Sequence, residues 1–151
     1  MPYSISIDAD KRLAVFTFSG QVSTSQAKQA FLDYVAMDGF DPSYVMFSDA
    51  RRVTHIDAHF FDIFSNVQGL SAPLKRFERG ALSVVLVSDQ MVFGMSRMLE
   101  QILGLFSGIK MRVTDCEAHA LELCGQAALP LEALDTAKGA PHLRARPTSV
   151  Q

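Results

Sequence analysis

The chain begins with apolar and polar residues that alternate in the period of a half-buried β-strand. In residues 3–8 every second side chain is apolar, starting with Tyr3. Residues 13–19 are rich in β-branched and aromatic side chains and are followed by Gly20. The polar residues 8–11 between these two segments suit a turn. The pattern predicts a β-hairpin that ends near Gly20.

Apolar runs and helical periodicity alternate along the rest of the chain. Short apolar runs are typical of strands covered on both faces, and they occur at residues 44–47 and 82–87. A last strand is predicted at residues 110–113. Apolar positions at three- and four-residue spacing predict helices at residues 24–38, 58–70, 90–106 and 116–125. Ser23 or Thr24, Asp89 and Asp115 are the candidate N-caps of the first, third and fourth of these helices.

The predicted order of elements is β-β-α-β-α-β-α-β-α. Strands alternating with helices predict an α/β domain with a mixed sheet of four or five strands and about four helices. The periodicity fades after residue 128, and residues 129–151 contain prolines, Gly139 and two isolated arginines. We therefore predict one domain over residues 1–128 and an extended, mobile tail over residues 129–151.

Composition and charge exclude several functional classes. The chain has 151 residues and a net charge of -2, and its basic residues are spread along it, which does not favour nucleic-acid binding. No run of about 18 apolar residues predicts a membrane span. The first residues lack the features of a secretory signal, so we expect a cytoplasmic protein.

The most informative stretch is residues 53–64, where an extended segment is predicted to turn directly into a helix. Asp57 is the expected N-cap of that helix. The buried face is expected to comprise Phe60, Phe61, Phe64 and Val67. Free N–H groups at such a helix start favour anions and polar partners. The candidate interaction surface therefore comprises Asp57, Ala58, His59, Phe60 and Phe61, although Asp57 serving only as a cap is the alternative.

This arrangement resembles the SpoIIAA-like fold of the STAS domains (sulfate transporter and anti-sigma factor antagonist), and most closely the uncharacterised bacterial STAS/SEC14-like proteins. Residues 53–59, Val-Thr-His-Ile-Asp-Ala-His, are similar to the family's apolar-apolar-Asp-Ser-Ser-Gly turn. Residues 93–98, Phe-Gly-Met-Ser-Arg-Met, are similar to a Gly-Met-Ala-Arg-Met helix start of the uncharacterised branch. The resemblance covers residues 3–127 and implies a regulatory module.

The serine switch of that family is absent from this turn. In anti-sigma factor antagonists a partner kinase phosphorylates a serine of the turn. Here Asp57 matches the aspartate of the motif, whereas Ala58 and His59 occupy the serine positions and Phe60 replaces the glycine. Since no hydroxyl group remains to be phosphorylated, the sequence predicts regulation by binding alone.

Metal and thiol chemistry have weaker support. His55, Asp57 and His59 alternate and would share one side of an extended chain, but a helix beginning near Ala58 would turn His59 away. Cys116 and Cys124 are eight residues apart in one predicted helix, roughly 12 Å and too far for a disulfide. Either cysteine with His119 would be a nucleophile only if exposed and activated. No catalytic residue, metal or cofactor is assigned.

The predicted helix from Asp89 contains an unusual run of methionines. Such side chains are often adaptable core fillers. They can also form an apolar surface for self-association or for a lipid-like ligand, and the candidates for that surface are Phe93, Met95, Arg97 and Met98. Arg97 would then be the polar edge of the site, or it would pair with a nearby acid.

The preferred hypothesis is a non-enzymatic regulatory or protein-interaction module, which we expect to form a homodimer. A small binding protein for an apolar or lipid-like molecule is the alternative. A minor metal-dependent or thiol enzyme is the third hypothesis.

Overall fold

The computed structural model describes residues 3–77 and 79–126. These residues form five strands and five helices: β1 (Tyr3–Asp8), β2 (Leu13–Ser23), α1 (Thr24–Val35), β3 (Val45–Asp57), α2 (Phe60–Gln68), α3 (Ser71–Leu74), β4 (Leu82–Val87), α4 (Gln90–Phe106), β5 (Lys110–Thr114) and α5 (Glu117–Leu123). The predicted α/β order is confirmed. One short helix, α3, lies where the sequence predicts only a connection. The predicted tail, residues 129–151, lies outside the described residues.

The five strands form one mixed sheet in the order β1-β2-β3-β4-β5. β1 and β2 pair in antiparallel fashion, with Tyr3 opposite Phe18, as the predicted hairpin requires. The other three strand pairs are parallel. Because parallel neighbours need a crossover connection, each of these pairs is separated in sequence by helix.

Strands β2 and β3 are longer than the sequence predicts. β2 does not end at Gly20 but continues to Ser23, which lies opposite Asp57 of β3. Gly20 has a φ of 71° and lies between two register shifts, so it provides a bulge rather than a strand end. β3 pairs with β4 only as far as Ala50, which lies opposite Val87. The two long strands therefore project past β4 as a two-stranded ribbon.

Helices cover the two faces of the sheet unequally. On one face, alternate strand residues such as Phe16 and Met46 pack in one cluster with Tyr34 of α1, Ile63 of α2 and Ile102 of α4. On the other face α5 packs against a smaller cluster, which comprises Leu13, Val15, Phe47, Val84, Leu86, Ala120, Leu121 and Cys124. The larger core therefore lies under α1, α2, α3 and α4.

Two of the three candidate N-caps are confirmed. The Ser23 hydroxyl accepts a hydrogen bond from the Gln26 N–H at 3.2 Å, and the Gln26 side chain accepts one from the Ser23 N–H at 2.9 Å. The Asp89 carboxylate accepts the N–H groups of Met91 and Val92. Asp115 does not cap α5, because the helix begins one residue later with Cys116 as its N-cap.

The predictions for the start of α2 are wrong in detail. Asp57 is the last residue of β3, and His59 is the N-cap of a helix that begins at Phe60 instead of Ala58. Its buried side chains are Ile63 and Val67, with Phe64 half-buried, whereas Phe60 and Phe61 are exposed. The later helix start changes which residues face the core, because each residue advances the helix by about 100°.

Candidate functional site

The turn surface, defined as Asp57, Ala58, His59, Phe60 and Phe61, joins the end of β3 to the start of α2. The Asp62 carboxylate accepts a hydrogen bond from the His59 N–H at 3.1 Å, so Asp62 satisfies a donor at the helix start. Phe60 is 48% exposed and Phe61 is 76% exposed. Ala58 is half-buried against the large core cluster. The turn surface therefore presents a pair of aromatic rings to solvent.

An aromatic chain connects this surface with α4. The Phe60 and Phe61 rings contact edge to face, with centroids 5.6 Å apart. Phe60 also contacts Phe64 at 6.0 Å, and Phe64 packs edge to face against Phe106 of α4 at 5.2 Å. The exposed ring of Phe60 is therefore held in place by a half-buried neighbour.

His55, Asp57 and His59 do not form a metal site. All three residues are exposed, and β3 ends at Asp57 before His59 caps α2. Within residues 3–77 and 79–126, no group of three or more His, Cys, Asp or Glu side chains is close enough to hold a metal ion.

A cavity of about 240 Å³ lies between the larger helical layer and the sheet. Its floor is formed by strand residues that face α1, α2 and α4, among them Phe16, Met46, Ser48, Ser83 and Val85. Its walls are helix residues, among them Ala30, Ile63, Val67, Val92 and Leu99. Most of the lining is apolar, as is typical of pockets for small organic molecules.

Four of the lining residues that reach solvent lie on facing parts of α1 and α2, and further half-buried lining residues lie on α4 and the strands, for example Met95 and Ile56. Ala27 of α1 is exposed, and Thr24, Lys28 and Asn66 are half-buried. Most residues deeper in the cavity are buried. One opening of the cavity, called the mouth and defined as Thr24, Ala27, Lys28 and Asn66, therefore lies between α1 and α2.

Lys28 provides the charge at this mouth. Its Nζ lies 3.4 Å from the position that a Cβ atom on Gly69 would occupy, close to the end of α2. Among the described residues that line the cavity, Lys28 is the only charged one. Its side chain forms no hydrogen bond or ion pair within the part of the chain that the structure describes.

The four candidates on α4 have different surroundings. Met95 lines the cavity and is half-buried. Phe93 and Met98 are half-buried against two different core clusters. Arg97 is exposed, is absent from the cavity lining and pairs with Glu100, with Nε 3.3 Å from Oε1. Met95 is thus the candidate that contacts the cavity.

Charged groups on the opposite face of the sheet form a compact network. The Arg51 guanidinium donates two hydrogen bonds to the buried Asp49 carboxylate and a third, at 3.2 Å, to Glu117 of α5, and the Arg51 backbone N–H also donates to Asp49. Burial acts to raise the pKa of Asp49, but the hydrogen bonds from Arg51 outweigh it and hold that pKa below its ordinary value. The network joins β3 to α5 and does not line the cavity.

The two cysteines are free and differ in exposure. Cys116 is exposed at the start of α5, whereas Cys124 is buried in the small core cluster. Burial raises the pKa of Cys124 to about 12, so its thiol stays protonated at neutral pH. The Nδ1 atom of His119 lies 3.3 Å from the hydroxyl oxygen of Thr114, the last residue of β5. Because Cys124 is buried and protonated, it is not an activated thiol.

Sequence reasoning does not identify the cavity itself. Ser48 follows the apolar run of β3 and Ser83 interrupts that of β4, and their small side chains leave space on the floor of the cavity. Lys28 does not indicate a binding site in the sequence either, since one lysine on an amphipathic helix is ordinary. The serines are the available signal, because a small polar residue inside a covered strand leaves volume unfilled.

Among the described helices, none has the length and hydropathy needed to cross a bilayer.

Comparisons with known proteins establish the fold. No family model matches the chain, and no curated protein matches it. Among solved structures, it is similar to an uncharacterized protein of the DUF3478 family from Shewanella loihica PV-4, described as having a SpoIIAA-like fold. The TM-score is 0.50 at 11% identity, over 81% of this chain and 93% of that one. With its five-stranded mixed sheet and alternating helices, the chain has a SpoIIAA-like, STAS-type fold.

Proposed function

We propose that this protein is a non-enzymatic binding module that holds an apolar small molecule between its sheet and helices α1, α2 and α4. The observation that carries the proposal is the cavity of about 240 Å³ with its largely apolar lining. An apolar cavity of roughly 150 Å³ is enough to bind benzene. The cavity is larger than that and lies just below the range for small-molecule pockets, roughly 300–1,000 Å³.

The unfilled apolar volume favours an occupant. Leaving an apolar volume empty costs roughly 24 cal/mol per Å³ in engineered cores. Because the cavity of about 240 Å³ opens to solvent, only a part of such a cost applies to it. A domain has a total stability of only about 5–15 kcal/mol, so an apolar molecule that restores the missing contacts would stabilise the fold substantially.

A fluorescence titration tests the proposal. The uncharged dye N-phenyl-1-naphthylamine becomes fluorescent in apolar sites, and we expect the delipidated full chain to bind it at one site. The variant Ser83→Leu places a larger side chain on the cavity floor and is expected to weaken dye binding at least tenfold. The matched control Ser25→Leu lies on the exposed side of α1, outside the cavity, and should bind the dye like wild type. Equal binding by all three proteins would reject the cavity as the site.

A second candidate function is protein interaction or homodimer formation through the turn surface. The exposed ring pair of Phe60 and Phe61 favours it, since aromatic side chains are enriched in interface cores. Sedimentation velocity tests this candidate. Wild type is expected to be dimeric and Phe61→Glu monomeric, while Leu105→Glu, a change at an exposed apolar residue of α4, should remain dimeric. A monomeric wild type, or a Phe61→Glu dimer, would count against self-association there.

A further inference from the structure

The charge distribution around the cavity narrows the class of ligand. We propose that the ligand is a single-chain amphiphile with an anionic head group, which Lys28 binds at the mouth between α1 and α2. This inference rests on the proposed function, because it assigns the polar end of a molecule whose apolar part occupies the cavity.

The first observation is the sign of the charge. Lys28 is the only charged residue among the described cavity-lining residues, and no aspartate or glutamate accompanies it there. Its ammonium group has neither hydrogen bond nor ion pair within the described part of the chain. A cationic or neutral ligand would leave this charge uncompensated beside an apolar volume, whereas an anion would compensate it.

The second observation is that neutral polar groups surround Lys28. Thr24, one turn before it on α1, and Asn66 of α2 also line the mouth. The Asn66 side-chain amide already donates to the Asp62 carbonyl oxygen at 2.8 Å, which fixes the orientation of that side chain. The Asp62 carboxylate accepts from the His59 N–H. It is therefore engaged at the start of α2 and is not the partner of Lys28.

The third observation is the volume of the cavity, which limits the length of the ligand's apolar chain. Benzene, with six carbon atoms, occupies an apolar cavity of roughly 150 Å³. The same ratio gives about ten carbon atoms for a cavity of 240 Å³. A chain of about this length would lie on the sheet below α2 and α4, with its head group at the α1 side.

Lys28 has an alternative structural role. Its Nζ lies near the C-terminal end of α2, where the helix dipole favours cations. That role predicts a loss of stability when the charge is removed, but no change in preference among ligands. Head-group selectivity therefore separates the two roles.

The experiment measures displacement of bound N-phenyl-1-naphthylamine by decanoate, 1-decanol and decylamine at about pH 8, where the carboxylate is ionised. Wild type is expected to bind decanoate about two- to fivefold more tightly than decanol, as for a partly exposed ion pair, and decylamine more weakly than decanol. In Lys28→Met the preference for decanoate should disappear while dye and decanol bind as in wild type. Lys28→Arg should keep the preference, and Lys75→Met, at an exposed lysine outside the cavity, should be unchanged.

The outcomes separate the two proposals. Absence of binding of both the dye and the smaller 1-decanol, the latter measured by isothermal titration calorimetry, would reject the proposed function itself. Normal dye binding with equal affinity for decanoate and decanol in wild type would reject only the anionic head group. A preference that persists in Lys28→Met would remove Lys28 as its cause. If Lys28→Met does not fold, Lys28→Gln, which keeps a polar side chain without the charge, provides the same comparison.

Discussion

Arg51 binds Asp49 of its own strand through two parallel hydrogen bonds, from Nε to Oδ1 at 2.8 Å and from Nη2 to Oδ2 at 2.7 Å. The two residues are two positions apart in β3 and therefore point to the same face of the sheet. Asp49 is only 2% exposed, so its charge depends on this partner. The pair carries a stability prediction that is independent of any ligand.

We expect Asp49→Ala to lower the free energy of unfolding by about 2 kcal/mol. Removing one partner of a fully buried ion pair costs about 3–5 kcal/mol. The cost should be smaller here because the Arg51 side chain is 28% exposed and can be rehydrated. Urea unfolding followed by circular dichroism measures the difference. A loss below about 0.5 kcal/mol would show that the pair contributes little.

The same pair predicts how stability depends on pH. Burial opposes ionisation of Asp49, but the hydrogen bonds from Arg51 outweigh it and lower the folded-state pKa of Asp49. Its contribution is therefore fully present above the pKa of the unfolded chain, about 3.9, and is lost as the pH falls through the lower folded-state pKa. The stability difference between wild type and Asp49→Asn should be largest near neutral pH and shrink in acid. The exposed control Asp57→Asn should show no comparable trend.

The cap of α2 predicts that substitution of Asp62 and of Asp57 affects stability differently. Asp62 accepts the His59 N–H, whereas Asp57 ends β3 and does not cap the helix. Asp62→Ala should therefore cost about 1 kcal/mol of stability, and Asp57→Ala much less. Thermal unfolding of the two variants makes the comparison directly. A larger loss of stability for Asp57→Ala than for Asp62→Ala would indicate that Asp57 caps α2, as the sequence predicts.

The orientation of α2 is tested by two neighbouring apolar residues. Ile63 is buried in the large core cluster, whereas Phe61 is 76% exposed. Ile63→Ala should destabilise the fold by about 2–4 kcal/mol, and Phe61→Ala should change it by less than about 0.5 kcal/mol. Denaturant titration measures both. Similar costs at the two positions would mean that Phe61 packs against the core.

The order of the elements is predictable because alternation and continuous apolar runs report how each strand is buried. The full length of β3 is not predictable in this way. Residues 48–57 are largely polar, and they remain in the strand because the end of β2 supplies their backbone partners. Such pairing between segments distant in sequence leaves little trace in local propensity. Gly20 is a related case, since a glycine that ends a strand and one that forms a bulge have the same local pattern.

The site is less predictable than the fold. Phe60 and Phe61 resemble core residues in sequence, and only the start of α2 at Phe60 shows that they face solvent. The cavity depends on small residues in different strands, such as Ser48 and Ser83, whose combined effect exists only after the sheet has formed. The volume of each side chain is known from the sequence, but the volume left between packed side chains is known only from the structure.

The cysteines give a prediction about reactivity. Cys116 is exposed, and Cys124 is buried with its pKa raised to about 12 by that burial. Because the thiolate is the reactive form, iodoacetamide at about pH 8 should modify Cys116 and leave Cys124 unmodified in the folded protein. Mass spectrometry should find one added group per folded chain and two after unfolding in guanidinium chloride. The variant Cys116→Ser should add none when folded. Modification of Cys124 in the folded protein at a rate similar to that of Cys116 would show that α5 opens from the sheet readily, since the small core cluster covers this thiol.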